Sequence, residues 1–158
     1  MRYIPLGDIR VWNTLSRKTY TSTSSLSLEK NTVFETCVFS NLHIDSENLV
    51  GFACLSSTFK NVHIVNSTFD CSTFFDSTFI QCTFEECTFF HANFEYTTWN
   101  SSTMLGTIFP HSRFIHAILN DMHFEDCDIK NVLFSNEEKT GMSFSICNDE
   151  EAYFDITI

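Results

Sequence analysis

Every fifth residue from Phe34 to Phe134 is apolar: Phe34, Phe39, Ile44, Leu49, Cys54, Phe59, Ile64, Phe69, Phe74, Phe79, Phe84, Phe89, Phe94, Trp99, Met104, Phe109, Phe114, Leu119, Phe124, Ile129 and Phe134. Neither the two-residue alternation of a strand nor the 3.6-residue turn of a helix generates that spacing. A fixed repeat of this kind points to a solenoid, in which each unit buries its apolar side only by stacking on its neighbours. The composition agrees, because 18 Phe beside 4 Gly and 2 Pro in 158 residues means that one residue type fills one recurrent slot.

The position two before each apolar centre is mostly small: Cys37, Ser57, Ser67, Ser72, Ser77, Cys82, Cys87, Ala92, Thr97, Ser102, Thr107, Ser112, Ala117 and Cys127. Two inward side chains in every five residues share a narrow bore, and close packing leaves no room for two large ones. The resulting phrase, Ser/Cys-Thr-Phe-x-x, resembles the pentapeptide-repeat family over roughly residues 32–148. That resemblance implies an all-β fold, a right-handed quadrilateral parallel β-helix of about six coils, with one pentapeptide on each side and 20 residues to the coil. Residues 20 apart then stack at the ~4.8 Å strand spacing and form four inner columns. Turn formers such as Asn41, Gly51, Asn61, Asn66, Asp76, Gly106, Asp121 and Asp126 recur two positions after the centre, where the chain has to turn a corner.

Three segments follow. Residues 1–29 lack the repeat and are expected to cap the open end, 30–148 form the β-helix, and 149–158 lead out of it. Glu47 and Phe52 stand in small slots, so the coil near 45–55 is expected to be distorted. Glu137 and Lys139 fall at inward positions where a charge is too costly to bury, which predicts an outward loop at 136–141.

Charge is uneven. The first 30 residues hold five basic residues (Arg2, Arg10, Arg17, Lys18, Lys30) and two acidic ones (Asp8, Glu29), leaving four basic against eighteen acidic in the remainder. An acidic body of this kind argues against nucleic acid as a direct ligand, which needs a Lys/Arg face, and suits a basic partner or a nucleic-acid mimic. No apolar run reaches the ~18 residues that would cross a bilayer.

Candidate chemical sites are few. Six of the seven cysteines fall in inward slots as small hydrophobes, and Cys127 and Cys147, 20 apart, have parallel Cβ vectors unsuited to a disulfide. Cys71, His91 and His111 form one outward column that offers ligand-type side chains, without the spacing of a recognised metal motif; no cofactor is expected. No nucleophile and base can be singled out, and a filled coil has no cleft to exclude water, so an enzyme is not expected. Outward Phe75, Phe90 and Tyr96 are candidates for a protein-binding apolar patch, and the strand edge near Phe134 and Phe144 for partner binding by strand addition. Asn66-Ser67-Thr68 and Asn100-Ser101-Ser102 are sequons, with Asn66 and Asn100 as candidate glycosylation sites.

Within the pentapeptide-repeat family, the Phe-rich phrase and the run from Phe134 through Gly141 to Asp149-Glu150-Glu151-Ala152-Tyr153-Phe154 resemble the luminal loop of the synaptic vesicle glycoprotein 2 family. The resemblance implies a recognition loop of a membrane-embedded transporter, on the luminal or extracellular side of a vesicle membrane, in a family whose loop is the botulinum neurotoxin receptor. Met142 departs from that pattern, which has Cys after Gly. The alternative is a cytoplasmic acidic pentapeptide-repeat DNA mimic that binds a basic nucleic-acid enzyme such as DNA gyrase.

Overall fold

The computed structural model describes residues 13–22, 32–135 and 140–156. The chain winds as an all-β, right-handed quadrilateral solenoid with about six regular coils. All the inter-strand pairings are parallel, and residues 20 apart face one another: Phe84 lies between Ile64 and Met104, and Trp99 between Phe79 and Leu119. Two sides are continuous six-stranded sheets, the second centred on the Phe39 to Leu119 column and the third on the Ile44 to Phe144 column. The first side consists of two three-stranded sheets joined through the bridges Ala53–Thr73–Asn93–Arg113. The fourth side holds together by single bridges from Asn48 through Thr68, Thr88, Ile108 and Asp128 to Asn148.

The repeated apolar centre is the core. Phe74, Phe94, Phe114, Phe134 and Phe154 stack with ring centroids 5.2, 4.6, 5.1 and 5.0 Å apart. Tyr20, Phe39, Phe59, Phe79 and Trp99 do the same on the next side at 5.1, 4.6, 4.8 and 3.9 Å. Each fully buried ring contributes roughly 1.5–3 kcal/mol from burial alone, and the offset stacks add to it. Rings of adjacent columns meet edge to face, as Phe74 does with Phe79 at 5.6 Å, so the bore is solid.

The corners carry the strain of this winding. Among the described residues, every fifth position from Thr36 to Glu151 has a positive φ. Gly, Asn and Asp adopt that conformation readily, but here it is also imposed on Gln81, Glu86, Tyr96 and even the β-branched Thr36 and Ile146. The strand ladder overrides the local preference, because most corner N–H groups donate to a carbonyl nineteen residues further on, as Asn61 does to Ile80 (3.0 Å) and Asp121 to Thr140 (2.8 Å), while His116 donates to the Ser135 hydroxyl. Gly141 is needed at its corner twice over: φ is +74°, and a Cβ there would collide with the Asp121 carboxylate.

Two expectations are corrected. The coil is not distorted at 45–55: Ile44 remains opposite Ile64 and Cys54 opposite Phe34, with 20-residue bridges from Asn48 and Ala53. Sizes are exchanged instead. Cys54 is a small residue in a central slot, and Phe52, a large residue in the adjoining small slot, reaches Phe34 (5.4 Å) and Phe74 (5.7 Å), the rings that flank Cys54 in its column. Glu47 avoids burial by remaining exposed at its side of the coil. Second, the winding extends beyond 30–148. Asn13–Ser16 and Thr19–Tyr20 pair with Thr32–Glu35 and Val38–Ser40 inside the segment expected to be a cap, in a slightly tighter turn that sets Leu15 against Phe34. Tyr153–Ile156, expected to lead out, adds a strand beside Leu133–Ser135 with a register shift. The rest of the expected cap, and most of the loop expected at 136–141, lie outside the described residues.

The exchange at 52 and 54 predicts non-additivity. Phe52→Ser leaves a cavity and is expected to cost about 3–5 kcal/mol, while Cys54→Phe overpacks the site and costs about 1–3 kcal/mol. The double variant restores the ordinary small and large pattern, and its urea midpoint should exceed that of Phe52→Ser alone.

Candidate functional site

Inside the coil, the small slots do more than save space. The slot residue's own N–H points along the bore wall, and a hydroxyl one coil ahead accepts from it: Ser57 Oγ from Cys37 N (2.9 Å), Ser77 from Ser57 (3.1 Å), Ser102 from Cys82 (3.0 Å) and Ser112 from Ala92 (3.0 Å). These hydroxyls, and the thiols in equivalent slots, also have strand carbonyls as acceptors, as Ser57 does with Leu55 and Cys82 with Phe59. Trp99 is tied in similarly, its indole N–H donating to Thr97 Oγ1 (2.9 Å). Among the described residues, Ser72 Oγ is the buried side-chain oxygen without a partner. Volume alone accounts for small residues in the slot; the frequency of Ser, Thr and Cys among them follows from these donors and acceptors.

All seven thiols are free. Burial pushes Cys82 and Cys87 up to about 11 and Cys127 up to about 12, and raises Cys54 further still. Protonated, desolvated sulfur makes a poor nucleophile. The inward cysteines therefore act as core, and Cys71 stands exposed at a corner.

The outer surface offers two kinds of feature. The first is aromatic and sits on the tight corners that border the first side. At these corners the centre carbonyl accepts from the N–H three residues on, as Phe69 does from Ser72, Phe74 from Ser77, Phe89 from Ala92 and Phe109 from Ser112. With positive φ at the third residue these are type II turns, which explains Pro110 in the second position. The same second position carries Phe75 and Phe90 outward, 39% and 42% exposed. Phe75 touches Tyr96 (5.2 Å), which stacks on His116 (4.8 Å). Phe90 packs instead against His91 (4.6 Å) and His111 (5.6 Å) at the opposite corner. The expected single patch is thus two aromatic clusters, with the Arg113–Glu95 ion pair (2.9 Å) on the side between them.

The second feature is acidic. Asp45, Glu85 and Glu125 follow the centres of the third side, Glu86 and Asp126 occupy the corners beyond them, and Asp128 opens the fourth side. Every second coil contributes, and the coils between supply the uncharged Val65, Asn66, Leu105 and Gly106. Glu85 and Glu125 face His63 (3.4 Å) and His123 (3.6 Å). Of the described Lys and Arg residues, none stands on this edge. Lys130, on the fourth side, is held by Glu150 at 2.8 Å, a contact that keeps the Glu150 carboxyl below the usual range.

Other candidates are placed differently from expectation. Phe134 is fully buried between Phe114 and Phe154 and cannot contact a partner, whereas Phe144 is 37% exposed. Ile115, which follows the centre Phe114 in the position equivalent to Phe75, is buried. His91 and His111 stack at 5.1 Å, and no group of three potential metal ligands comes together among the described residues. Asn66 is exposed at a corner, while Asn100 is half-buried in a strand and accepts from Asn120 at 3.3 Å.

No family model and no curated protein matches the sequence. Among solved structures, the chain is similar to trypsin-treated QnrB1, a plasmid-mediated fluoroquinolone resistance protein, at 10% identity and TM-score 0.38, covering 91% of this chain and 90% of that one. It is similar to the pentapeptide-repeat protein Rfr23 of the cyanobacterium Cyanothece 51142 at 12% identity and TM-score 0.30, covering 77% and 90%. It is also similar to HetL, a pentapeptide-repeat protein involved in heterocyst differentiation regulation in Nostoc sp. strain PCC 7120, at 7% identity and TM-score 0.23, covering 88% and 84%. At such scores these likenesses carry no argument, and the class rests on the five-residue repeat and the ladder: a pentapeptide-repeat β-solenoid. The finer resemblance to the synaptic vesicle glycoprotein 2 family finds no support in any of the comparisons. The membrane, glycoprotein, neurotoxin-receptor and luminal or extracellular assignments rested on it and fall with it. No described helix is long and apolar enough to cross a membrane.

Two thiol measurements check this description. A colourless thiol reagent at pH 8 should modify Cys71 first and reach all seven cysteines only in denaturant. Because burial raises Cys54, Cys82, Cys87 and Cys127 above their unfolded values, the contribution of these four to stability is complete below pH ~9 and declines above it, that of Cys82, Cys87 and Cys127 being lost as pH climbs through about 11–12. The expected slope is up to about 1.4 kcal/mol per pH unit for each thiol, and a urea midpoint unchanged between pH 8 and 10.5 would contradict it.

Proposed function

We propose that this protein is a non-enzymatic recognition module whose acidic edge stands in for nucleic acid, occupying the DNA-binding surface of a basic enzyme of the DNA gyrase type. The observation that carries the reading is the spacing of charge. Asp45, Glu85, Glu86, Glu125, Asp126 and Asp128 cover four coil rises, about 19 Å at ~4.8 Å each. Gathered on three levels ~9.6 Å apart as one, two and three carboxylates, they reach a mean density of roughly one per 3 Å, comparable to the one charge per ~3.4 Å along a single strand of B-DNA.

Rigidity supports it as well. The carboxylates are carried on backbone held to the next coil by strand pairing and corner hydrogen bonds, so a partner need not order them on binding. The chain's formal net charge of −11 extends the attraction beyond the contact and favours fast encounter with a cationic surface. The aromatic clusters at Phe75–Tyr96 and Phe90–His111 supply apolar contact area of the kind that fixes a protein partner once it has been steered in.

Inhibition of gyrase supercoiling, with competition between this protein and linear DNA for the enzyme, tests the reading. The wild type should inhibit, and inhibition should weaken on raising salt from 50 to 300 mM, since about six ion contacts are screened. The variant Glu85→Lys/Glu86→Lys/Glu125→Lys/Asp126→Lys should lose it by at least tenfold while retaining its β spectrum. Supercoiling untouched by excess wild-type protein, or equal inhibition by the reversed variant, would reject the mimic.

A further inference from the structure

Three of the six histidines stand in one column, and that column borders the acidic edge. His43, His63 and His123 each immediately precede a centre of the third side, where Thr83, Thr103 and Ser143 fill the same place in the other coils. Side chains two apart in a strand point the same way, so this column shares a face with Asp45, Glu85 and Glu125, which follow the centres. His63 Nε2 is 3.4 Å from Glu85 Oε2, and His123 Nε2 is 3.6 Å from Glu125 Oε2. His123 is also held through Nδ1 by the Ser143 hydroxyl at 2.7 Å. The His43 ring meets that of His63 edge to face at 5.0 Å. Hydrogen bonds from Ser46 and Asn66, with His43 a smaller influence, keep the Asp45 carboxyl below the usual range. Further charged groups border the column: Lys60 on the second side three residues before His63, Asp121 at the corner before His123, and Glu86 and Asp126 at the corners beyond the strands. Of these, only Lys60 is positive. The other histidines, His91, His111 and His116, stand at the corners that border the first side.

We propose that His43, His63 and His123 form an acid-operated release device for the acidic edge, which rests on that edge being the surface that holds a cationic partner. Imidazole changes charge between pH 5 and 8, so the column is uncharged at the upper end of that range and cationic at the lower. When it is uncharged, the carboxylates lie open to lysine and arginine side chains of a partner. On protonation, His63 and His123 turn their contacts with Glu85 and Glu125 into ion pairs, and His43 sets a cation beside Asp45. Three cations then face the six carboxylates of the edge, and half of its negative charge is cancelled by groups that the fold itself carries. A partner's cations must displace these built-in counterions and meet repulsion from them. By linkage the partner in turn disfavours the protons, so its binding within the imidazole range releases protons to the buffer.

Titration of the full chain into a fluorescent decaarginine peptide at pH 7.5 and pH 5.5, at one ionic strength, tests it. Wild-type affinity should fall roughly tenfold in acid, the combined effect of three partly exposed charge contacts. The variant His43→Gln/His63→Gln/His123→Gln should keep most of its pH 7.5 affinity, which separates the column from titration of the carboxylates themselves. The variant His91→Gln/His111→Gln/His116→Gln should respond to acid as the wild type does. Affinity that does not change with pH, an equal loss in the first variant, a fall that follows loss of the β spectrum, or no binding at pH 7.5 would each overturn the proposal. Gyrase forms a separate arm: the expected peptide pattern without inhibition of supercoiling supports histidine-operated release and rejects only the nucleic-acid mimic.

Discussion

The structure depends on a match between two lengths. Backbone hydrogen bonding between parallel strands sets successive coils ~4.8 Å apart, and aromatic rings laid on one another in the columns sit 3.9 to 5.2 Å apart centroid to centroid. Because the two spacings agree, a ring at every coil satisfies the ladder and the core together. The sides of the coil bury the apolar centres against one another around a single bore, with no helix among the described residues and with few glycines.

That match is strong enough to hold conformations which the residues would not choose. Positive φ at Tyr96 or Gln81 costs on the order of 1–2 kcal/mol at each site, less than the combined burial of the two rings that flank the corner. It also tolerates local exchange: Phe52 and Cys54 swap sizes without moving the register, since the bore requires filled volume more than a particular order of large and small. The inward hydroxyls complete the arrangement by accepting from slot N–H groups that the bore would otherwise desolvate.

For function, the consequence is a rod whose interior is committed to packing and whose chemistry lies outside, on positions repeated every 20 residues. Such a surface converts sequence into a regular array, and recognition is a natural use for it. The acidic edge and the two aromatic corners arise because packing constrains the inward positions and leaves the outward ones to other uses.

The period of five, read from Phe34 to Phe134, determines by itself that the chain is a solenoid and which residues are its apolar centres, while the number of sides, the members of each column and the inward place of six cysteines came with the resemblance of the repeated phrase to the pentapeptide-repeat family. One-dimensional spacing suffices there because each residue's environment is a copy of the one 20 positions away. Tertiary structure alone decided where the repeat is broken harmlessly and where it continues unmarked. Leu15 and Tyr20 join the columns in a tighter turn that breaks the count of five, and Phe134, which looked available at an edge, is covered by Phe154 from a segment expected to lead away. That Phe75 and Phe90 lie at different corners follows from their places after Phe74 and Phe89, but that the first packs with Tyr96 and the second with His91 and His111 was decided by contacts between coils rather than by the spacing.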